Sequence, residues 1–465
     1  MACQDNHICS IVPPILLERL CESQDVSESI RQHAHATLEL GKTLHQTRHD
    51  FFEDKCRSLL QRGHDHLHTH IPDILGHGRS SSPSAGASSS SSQPQGIVPG
   101  SLFQSVIDSP VTSPETKETA QQNLAISSSI RDARQAEEEG TSSPTSPEDK
   151  EKGSRATATG FQRNVYDVEN KGSLTGNSWQ TVLPGKPVRL EGQDPTADQQ
   201  VNEAYDMALV VLKFYKKHFN CESLDGKGME VNSSVHFGQA MGNAFWLGNL
   251  QQMVYGDGDD FLHGFTRCVD VIGHEMTHAV IQYNAGLVYK DESGALNEHI
   301  ADVFGIMVKQ MYENEDAANA DWLIGEGCLL PGVKGVSLRS MKDPGSAYDD
   351  PRFGFDLQPG HTSKIPELMK KYGNYIRNKD YGGVHIFSGI PNKAFYLASV
   401  AFKGYSWEKA GQIWWKVLTG GKIPPNCKFV QFADATVDAA EELYGDDAAK
   451  IVRNAWNEVG VVRKT

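Results

Sequence analysis

The feature that most constrains this chain is the pentapeptide HEMTH at residues 274–278, which lies inside an otherwise apolar helical segment. On a helix, His274 and His278 are one turn apart and share a face, so both imidazoles can reach one ion. Glu275 is offset around the helix and can reach a water on that ion without being a ligand. Imidazoles that lack partners are costly to bury. The pattern therefore predicts a metal site on a core helix rather than two ordinary surface histidines.

A second helical stretch, GALNEHIAD, follows closely and offers the third ligand. Glu298 and His299 are the two candidates. Glu298 is preferred because it shares a helix face with Asp302, which can accept a hydrogen bond from a ligating histidine. Two imidazoles and a carboxylate suit zinc and leave a fourth position open to water. We therefore expect one catalytic Zn²⁺, held by His274, His278 and Glu298.

Composition divides the 465 residues into unequal parts. Residues 1–75, called the head, read as a short separate unit with one or two small helices. Residues 76–160 are rich in Ser, Pro and Gly, so they cannot bury enough apolar surface to offset chain entropy, and a disordered, cleavable linker is expected. Residues 161–285 predict a mixed α/β lobe that ends with the HEMTH helix, and residues 286–465 predict a mainly helical lobe.

Three segments of the first lobe carry clear periodicity. The stretch 201–219 places apolar side chains on one helical face. The stretch 230–238 alternates like a half-buried strand, and QMVY at 252–255 reads as another strand. Gly286 is expected to end the HEMTH helix. The fold class indicated by these elements is α+β.

Charge and composition exclude several partners. The formal net charge is −15, which argues against nucleic acid as a main partner. No run of about 18 apolar residues occurs, so no membrane span is predicted. The N-terminus lacks the basic region and apolar run of a standard secretory signal. The alternating histidines of GHDHLHTH, at 63–70, are read as a solvated stretch rather than a metal site.

The eight cysteines are scattered and form no CxxC pair, so a cysteine-based zinc site is not expected. Free buried thiols are the preferred interpretation over disulfides.

Taken together, the motifs resemble the thermolysin family of zinc metallopeptidases. HEMTH and ESGALNEHIAD are joined, in the family's order, by NAFW at 243–246, YGDGD at 255–259, RSM at 339–341 and GGVHIFSGIPNKAFY at 382–396. The resemblance covers residues from about 161 to 465. The short motif Pro13–Pro14–Ile15–Leu16 looks like the precursors of protealysin type. The resemblance implies a two-lobed thermolysin-like unit joined by the HEMTH helix, preceded by a propeptide and a linker.

The resemblance also implies catalytic roles. Glu275 would be the general base that activates a zinc-bound water and passes the proton to the leaving nitrogen. His385 would stabilise the developing oxyanion, with Asp380 orienting its ring and Tyr289 assisting. A protonated imidazole, a phenol and a metal all favour negative charge on oxygen.

Substrate-binding positions follow from the same resemblance. Arg339 would bind a substrate carbonyl, and Asn243 and Ala244 would hydrogen-bond the peptide backbone as a strand edge. The apolar residues that could line the pocket after the scissile bond are Leu262, Phe265, Val271, Ile324 and Leu338. The family implies cleavage of internal peptide bonds before bulky apolar residues.

The chain departs from the family at its calcium site. Asp270, Asp321 and Glu326 match the carboxylates of a two-calcium site, but Lys309 stands where the pattern has an acid, and Leu323 replaces another. Two calcium ions need a surplus of carboxylate oxygens. We expect the Lys309 ammonium to replace one ion, which leaves one calcium or none.

Residues 1–160 are expected to keep the catalytic part inactive until cleavage in the linker. A head cysteine that caps the zinc as a thiolate is the alternative mechanism of latency; the candidates are Cys3, Cys9, Cys21 and Cys56.

Two other functions are less consistent with the sequence. A silent binding protein would need damage among the ligands, Glu275 or His385, and none is damaged. An aminopeptidase would need an anchor for a free substrate amine, and none is recognised. We expect a monomer that acts on proteins and peptides. The family resemblance favours secretion without a standard signal peptide, and a cytoplasmic location is the alternative.

Overall fold

The computed structural model describes residues 8–10, 12–40, 160–171, 181–238, 241–248, 250–258, 262–350 and 354–462. All of them belong to one compact unit, which comprises residues 1–45 and 155–465. The expected linker lies outside the described residues, apart from its last position, as do the histidine-rich stretch, Cys3, Cys56 and Asp259. The predicted α+β class is confirmed, with a mixed lobe followed by a helical one.

A six-stranded mixed sheet builds the first lobe. Its strands are β1 (Ile8–Ser10), β2 (Arg163–Asp167), β3 (Lys186–Leu190), β4 (Val231–Val235), β5 (Ala244–Leu247) and β6 (Gln252–Tyr255). The spatial order is β1-β5-β6-β4-β2-β3, and β2, β4 and β6 run parallel. The strands predicted in 230–238 and 252–255 are therefore present. Strand β1 comes from the N-terminal head and pairs antiparallel with β5, which would otherwise be the edge of the sheet.

Helix α1 (Pro14–Glu22) and a helical stretch at 28–40 follow β1 in the head. Helix α2 (Gln199–Phe219) packs on the sheet and buries the apolar face predicted for it. It begins where the Asp198 carboxylate accepts hydrogen bonds from the backbone N–H groups of Gln200 and Val201. It ends at Asn220, whose left-handed backbone closes the helix.

Two long helices form the centre of the molecule. Helix α3 (Val269–Tyr283) carries HEMTH, and helix α4 (Asp291–Glu313) carries the second ligand stretch. Gly286 does not itself cap α3, because the helix already ends at Tyr283. It instead closes the turn that follows: its φ is +54°, and its N–H donates to the carbonyl of Ile281 at 2.8 Å.

The second lobe is mainly helical, as predicted. After the short strands β7 (Leu323–Ile324), β8 (Arg339–Ser340), β9 (Asp349–Asp350) and β10 (Gly354–Phe355) come the helices α5 (Ile365–Lys379), α6 (Val384–Phe387), α7 (Gly389–Phe402), α8 (Ala410–Thr419), α9 (Phe429–Tyr444) and α10 (Asp446–Glu458). In the described ranges, no helix combines the length and apolar character needed to cross a bilayer.

Helices α3 and α4 touch at two glycines. A Cβ on Gly305 would lie 2.6 Å from the backbone carbonyl oxygen of Asp270 and 3.2 Å from the backbone nitrogen of His274. A Cβ on Gly273 would lie 3.1 Å from the Gly305 Cα. Only glycine allows the backbones to approach this closely. The contact therefore sets how far the side chains of α3 stand from those of α4.

Replacing Gly305 with Ala should destabilise the protein by several kcal/mol, because either backbone must move to admit the methyl group. The loss should appear despite the higher helix propensity of Ala, which is worth about 1 kcal/mol. Gly373→Ala is the matched control, since a Cβ there meets only the end of the Arg377 side chain. Chemical denaturation measures both, and equal stability of the two variants would contradict the prediction.

Candidate metal and active site

The predicted ligands converge between α3 and α4. Nε2 of His274 and Nε2 of His278 are 3.0 Å apart. The Glu298 carboxylate lies 3.6 Å from the first of these nitrogens and 3.9 Å from the second. All three side chains are buried, and their ligand atoms lie within 4.8 Å of one another. Across the described ranges, this is the one group of three or more His, Cys, Asp and Glu side chains close enough to share an ion.

Hydrogen bonds define the tautomer of each imidazole. Nδ1 of His274 is 2.8 Å from Asp302 Oδ1, and Nδ1 of His278 is 2.8 Å from Asn297 Oδ1. Carboxylate and amide oxygens only accept, so each Nδ1 carries the proton, and each Nε2 of a neutral ring presents a lone pair. Two lone pairs that face each other repel unless a cation lies between them. Nitrogens bound tetrahedrally to zinc lie about 3.3 Å apart, so the donor set fits Zn²⁺.

Asp302 contacts the predicted ligand His274 and is itself bound by an arginine. Nε and one terminal nitrogen of Arg339 donate to the two oxygens of Asp302, at 2.9 and 2.7 Å. Burial opposes the charge of Asp302, but the Arg339 guanidinium and the His274 ring outweigh it and lower the carboxyl pKa well below its usual range. The RSM arginine, expected to bind a substrate carbonyl, therefore also forms a buried bidentate ion pair.

Glu275 lies in the same helix turn as the ligands but is oriented by the sheet. Its Oε2 accepts a hydrogen bond from the backbone N–H of Trp246, in β5, at 3.0 Å. The indole N–H of Trp246 in turn donates to Gln282 at 2.9 Å. These bonds connect the candidate base to β5, the strand expected to bind the peptide backbone. The position of the base relative to a bound substrate would therefore be fixed.

The residues expected to stabilise the oxyanion lie around α6, beside Glu298. Nδ1 of His385 is 2.7 Å from Asp380 Oδ1, and Nε2 is 3.2 Å from the Tyr289 hydroxyl. Tyr289 also donates to Glu298. Burial opposes a charge on the His385 ring, yet the carboxylates of Glu298 and Asp380 together raise its pKa. A ring that holds its proton more firmly is suited to stabilising an oxyanion.

The predicted backbone-binding positions are already in contact with the head. Asn243 Oδ1 accepts from the Ala244 N–H at 3.0 Å and from the Val12 N–H at 3.2 Å. In the adjoining pairing of β1 with β5, Cys9 lies opposite Trp246 and Ser10 opposite Phe245. The head therefore lies along the strand expected to receive substrate.

The predicted calcium positions surround a lysine. Nζ of Lys309 lies 2.9 Å from Asp321 and 3.0 Å from Glu326, and it donates to the Leu323 carbonyl at 3.3 Å. Burial works against its charge, but the surrounding carboxylates, Asp270 first, raise the lysine pKa above its ordinary value. Asp270 itself accepts a hydrogen bond from the Gly325 N–H. An ammonium group thus lies among the carboxylates that would bind an ion.

Sequence reasoning missed Asn297, although it directly precedes Glu298 in NEHIAD. An amide one turn or less from a ligand is a signal that could have been used. The bond from Trp246 to Glu275 was also missed, because a backbone N–H donates in the same way whichever side chain the residue carries. His299, the competing ligand, points into the helical lobe, where it accepts from Trp414 at 2.8 Å.

Two protein-family models together match most of the residues that the structure describes. A family model described as "Thermolysin metallopeptidase, catalytic domain" matches residues 147–282, and one described as "Thermolysin metallopeptidase, alpha-helical domain" matches residues 285–461. The chain is 44% identical over 302 residues to Protease PrtS of Photorhabdus sp. (strain Az29), covering 65% of this chain and 76% of that protein.

Two further relatives extend the likeness. An extracellular metalloprotease of Pectobacterium carotovorum subsp. carotovorum is 45% identical over 300 residues, which cover 64% of this chain and 81% of the relative. Among solved structures, the precursor of protealysin, a metalloproteinase from Serratia proteamaculans, is 39% identical with a TM-score of 0.59. The match covers 79% of this chain and 99% of the protealysin precursor.

Zinc should stabilise the metal-free protein strongly, because it removes the repulsion between the two imidazole lone pairs. A ligand at about 1,000 times its dissociation constant contributes about 4 kcal/mol of stability. Differential scanning calorimetry of protein treated with a chelator, before and after one equivalent of zinc, measures the shift. Magnesium is the control ion, and His278→Ala should abolish the zinc effect. A melting temperature that zinc leaves unchanged would argue against the site.

Proposed function

This chain belongs to the thermolysin family of metallopeptidases, and from that premise we propose that it is a zinc-dependent endopeptidase that cleaves internal peptide bonds before bulky apolar residues. The observation that carries the proposal is the convergence of two imidazole nitrogens and one carboxylate within 4.8 Å. His274, His278 and Glu298 would hold the ion. An ion held by these residues would supply Lewis-acid chemistry, which favours attack by water on the peptide carbonyl at neutral pH.

Glu275 would take the proton from the attacking water. Its carboxylate is buried, and the Trp246 N–H holds one of its oxygens, so the side chain enters the reaction already oriented. The same group would then give the proton to the leaving nitrogen, which an amine needs in order to depart. Because Glu275 is hydrogen-bonded to β5, the strand proposed to bind substrate, the distance between its carboxylate and the scissile bond would stay constant.

His385 and Tyr289 would stabilise the negative charge that develops on the carbonyl oxygen. Their polar atoms are 3.2 Å apart, and both lie beside Glu298, so they can address one oxygen next to the ion. Asp380 keeps the His385 ring in one tautomer and favours its protonated form. Tyr289 has one hydroxyl proton and donates it to Glu298 in this structure, so that proton would turn to the oxyanion once the ion holds Glu298.

Substrate would add to β5 as a further antiparallel strand, with Asn243 and Ala244 supplying its first hydrogen bonds. The support is that β1 of the head already pairs with β5 in this way. Binding through backbone groups along a strand suits an internal stretch of peptide rather than a free amino end. We expect proteins and peptides as substrates, a monomeric enzyme, and a location outside the cell, as the name of the Pectobacterium relative suggests.

Glu275→Gln should lower kcat for peptide hydrolysis by about 10³-fold, because the amide cannot accept the proton. Zinc content and thermal stability should change little. Glu313→Gln, at an exposed position of α4, is the matched control and should retain full activity. The assay uses a peptide blocked at both ends, so a strict aminopeptidase would show no cleavage at all. A blocked peptide cleaved at the wild-type rate by Glu275→Gln would contradict the assignment of the base.

We also propose that the head keeps the precursor inactive by occupying the substrate strand. Besides the pairing of β1, Arg19 donates to the Phe355 carbonyl at 2.8 Å, and the apolar side chains of α1 join the main core cluster. Cleavage in the linker would release the covalent tie between head and catalytic part. Latency of this kind needs no cysteine ligand, which makes the thiolate-cap alternative unnecessary.

Leu20→Asp should raise the activity of the uncleaved chain, because Leu20 is fully buried in that cluster and a carboxylate there is costly to bury. Gln24→Asp introduces the same charge at an exposed head position and should leave latency intact. Activity is measured against the fraction of full-length chain seen by electrophoresis. Uncleaved Leu20→Asp protein that is as inactive as its control would sink the idea.

The calcium proposal is that the Lys309 ammonium takes the place of one ion. It rests on the three contacts of Nζ, two of them with carboxylates that would otherwise need a cation. The arrangement leaves too few uncompensated oxygens for two calcium ions. The protein should therefore bind one calcium or none.

Lys309→Glu should lower the melting temperature in the absence of calcium, because carboxylates then cluster without a cation. Millimolar calcium should restore the stability of that variant and add one bound ion relative to the wild type. Lys370→Glu, on the exposed face of α5, makes the same charge change and should show no such rescue. Calcium titration by calorimetry gives the stoichiometry, and two ions bound to the wild type would contradict the replacement.

A further inference from the structure

Two cysteines lie side by side where helix α3 begins. Cys268 is the residue before α3, and Cys328 ends the 3₁₀ turn Glu326–Cys328, 60 positions later. Their Sγ atoms are 3.2 Å apart and both side chains are buried. A disulfide bond is about 2.0 Å long, so a combined movement of about 1.2 Å would join them. Among the described residues, no third ligand accompanies the pair to make a metal site.

We infer that Cys268 and Cys328 form a disulfide when the chain folds in an oxidising compartment. The two thiols lose two protons and two electrons as the sulfur–sulfur bond forms. The electrons pass to a small-molecule disulfide such as oxidised glutathione, whose own bond breaks to give two thiols. Both thiols are free in this structure, in line with the sequence-based preference, and the inferred bond would be an exception that depends on a contact between distant segments.

The bond would reinforce a junction that is already hydrogen-bonded. The Gly325 N–H donates to Asp270 across the same two segments, and the His263 N–H donates to the Cys328 carbonyl at 2.9 Å. The cross-link would therefore hold the first turn of α3, one turn before the ligand His274. The contact with Cys268 and burial both raise the pKa of the Cys328 thiol, so exchange in the folded protein should be slow.

The test is to fold the full chain with oxidised or with reduced glutathione, block remaining thiols with an alkylating agent, and map peptides by mass spectrometry. We expect one peptide pair that joins Cys268 to Cys328, and a melting temperature about 5 °C higher for the oxidised protein. Cys268→Ser should lose that difference, whereas Cys427→Ser should keep it. Alkylation of both thiols after oxidative folding, or pairing of either with another cysteine, would overturn the inference.

A separate observation concerns His299, which follows the ligand Glu298. The indole N–H of Trp414 donates to His299 Nε2 at 2.8 Å, which places the ring proton on Nδ1. Nδ1 is 2.8 Å from Asn392 Oδ1, and Asn392 Nδ2 donates to Asp302 Oδ2 at 2.9 Å. Every donor in this chain of hydrogen bonds meets an acceptor. The relay, defined as Trp414, His299 and Asn392, therefore ends on the carboxylate that holds a metal ligand.

We propose that the relay is a set of positioning residues that determines zinc affinity; the proposal rests on the zinc site proposed above. Oδ1 of Asp302 faces His274, while Asn392 and Arg339 both donate to Oδ2, so Asn392 helps to fix the orientation of the carboxylate. Buried partners beyond the ligands typically change metal affinity by about 10- to 100-fold when removed. Trp414 on α8 would thus act on the metal from a remote helix.

A matched pair of tryptophans tests the relay. Trp414→Phe removes the indole N–H that begins it. Trp456→Phe removes an indole N–H that donates to Thr436 instead, from a ring stacked 6.2 Å away on Trp414. Zinc dissociation constants come from competition with a chelator, and melting of the metal-free proteins reports purely structural damage. We expect about tenfold weaker zinc binding for Trp414→Phe and less than twofold for Trp456→Phe.

Asn392→Ser supplies a second variant in case the first does not fold, and it should weaken zinc by at least about tenfold. Equal zinc affinity of Trp414→Phe and Trp456→Phe, or wild-type affinity in Asn392→Ser, would overturn the relay. A wild-type protein that binds no zinc would instead overturn the proposed function.

Discussion

The close contact of two helix backbones at Gly273 and Gly305 is the constraint on which the rest of the structure depends. A methyl group at Gly305 would lie 2.6 Å from the Asp270 carbonyl, so larger residues would push α3 and α4 apart. At the observed separation, imidazoles from one helix reach the carboxylates of the other within hydrogen-bonding or metal-binding distance. A wider crossing would leave those polar groups buried and too far apart to share an ion.

Burial makes the charges of the site interdependent. Asp302, Arg339, Glu298 and His385 are all shielded from water, where an isolated charge would be strongly unfavourable. Each is compensated by a neighbour of opposite charge, and the pairing extends from β8 through α4 to α6. The two imidazole nitrogens are the part of this network that the proposed zinc ion would complete. Stability and metal binding are therefore two aspects of the same arrangement.

Beyond the predicted ligands, contacts between distant segments hold α3 and cover β5, the strand proposed to bind substrate. Lys309 supplies a positive charge among the carboxylates near the start of α3, and the two cysteines meet beside them. The head adds a strand to the sheet edge, which satisfies the exposed backbone groups of β5. Under the proposed latency, this pairing would cover the edge of β5 in the uncleaved chain without a separate binding pocket.

Local periodicity predicted much of the fold and placed His274 and His278 on one helix face. One helical turn separates His274 from His278 whatever surrounds them, and the buried face of α2 follows from its spacing of apolar residues. The end of α3 was less predictable, because a helix can end before the glycine that closes the following turn. The roles assigned to Glu275, His385 and the other site residues remain predictions that the observed geometry supports.

What the sequence by itself determined is the set of chemical groups and the contacts between near neighbours along the chain. Only the tertiary structure decided which distant groups meet: Arg339 with Asp302, Cys268 with Cys328, and Val12 with Asn243. These pairs are separated by 37, 60 and 231 positions. No helical or strand period relates such positions, because their distance is set by how helices and sheet pack, which depends on the whole core at once.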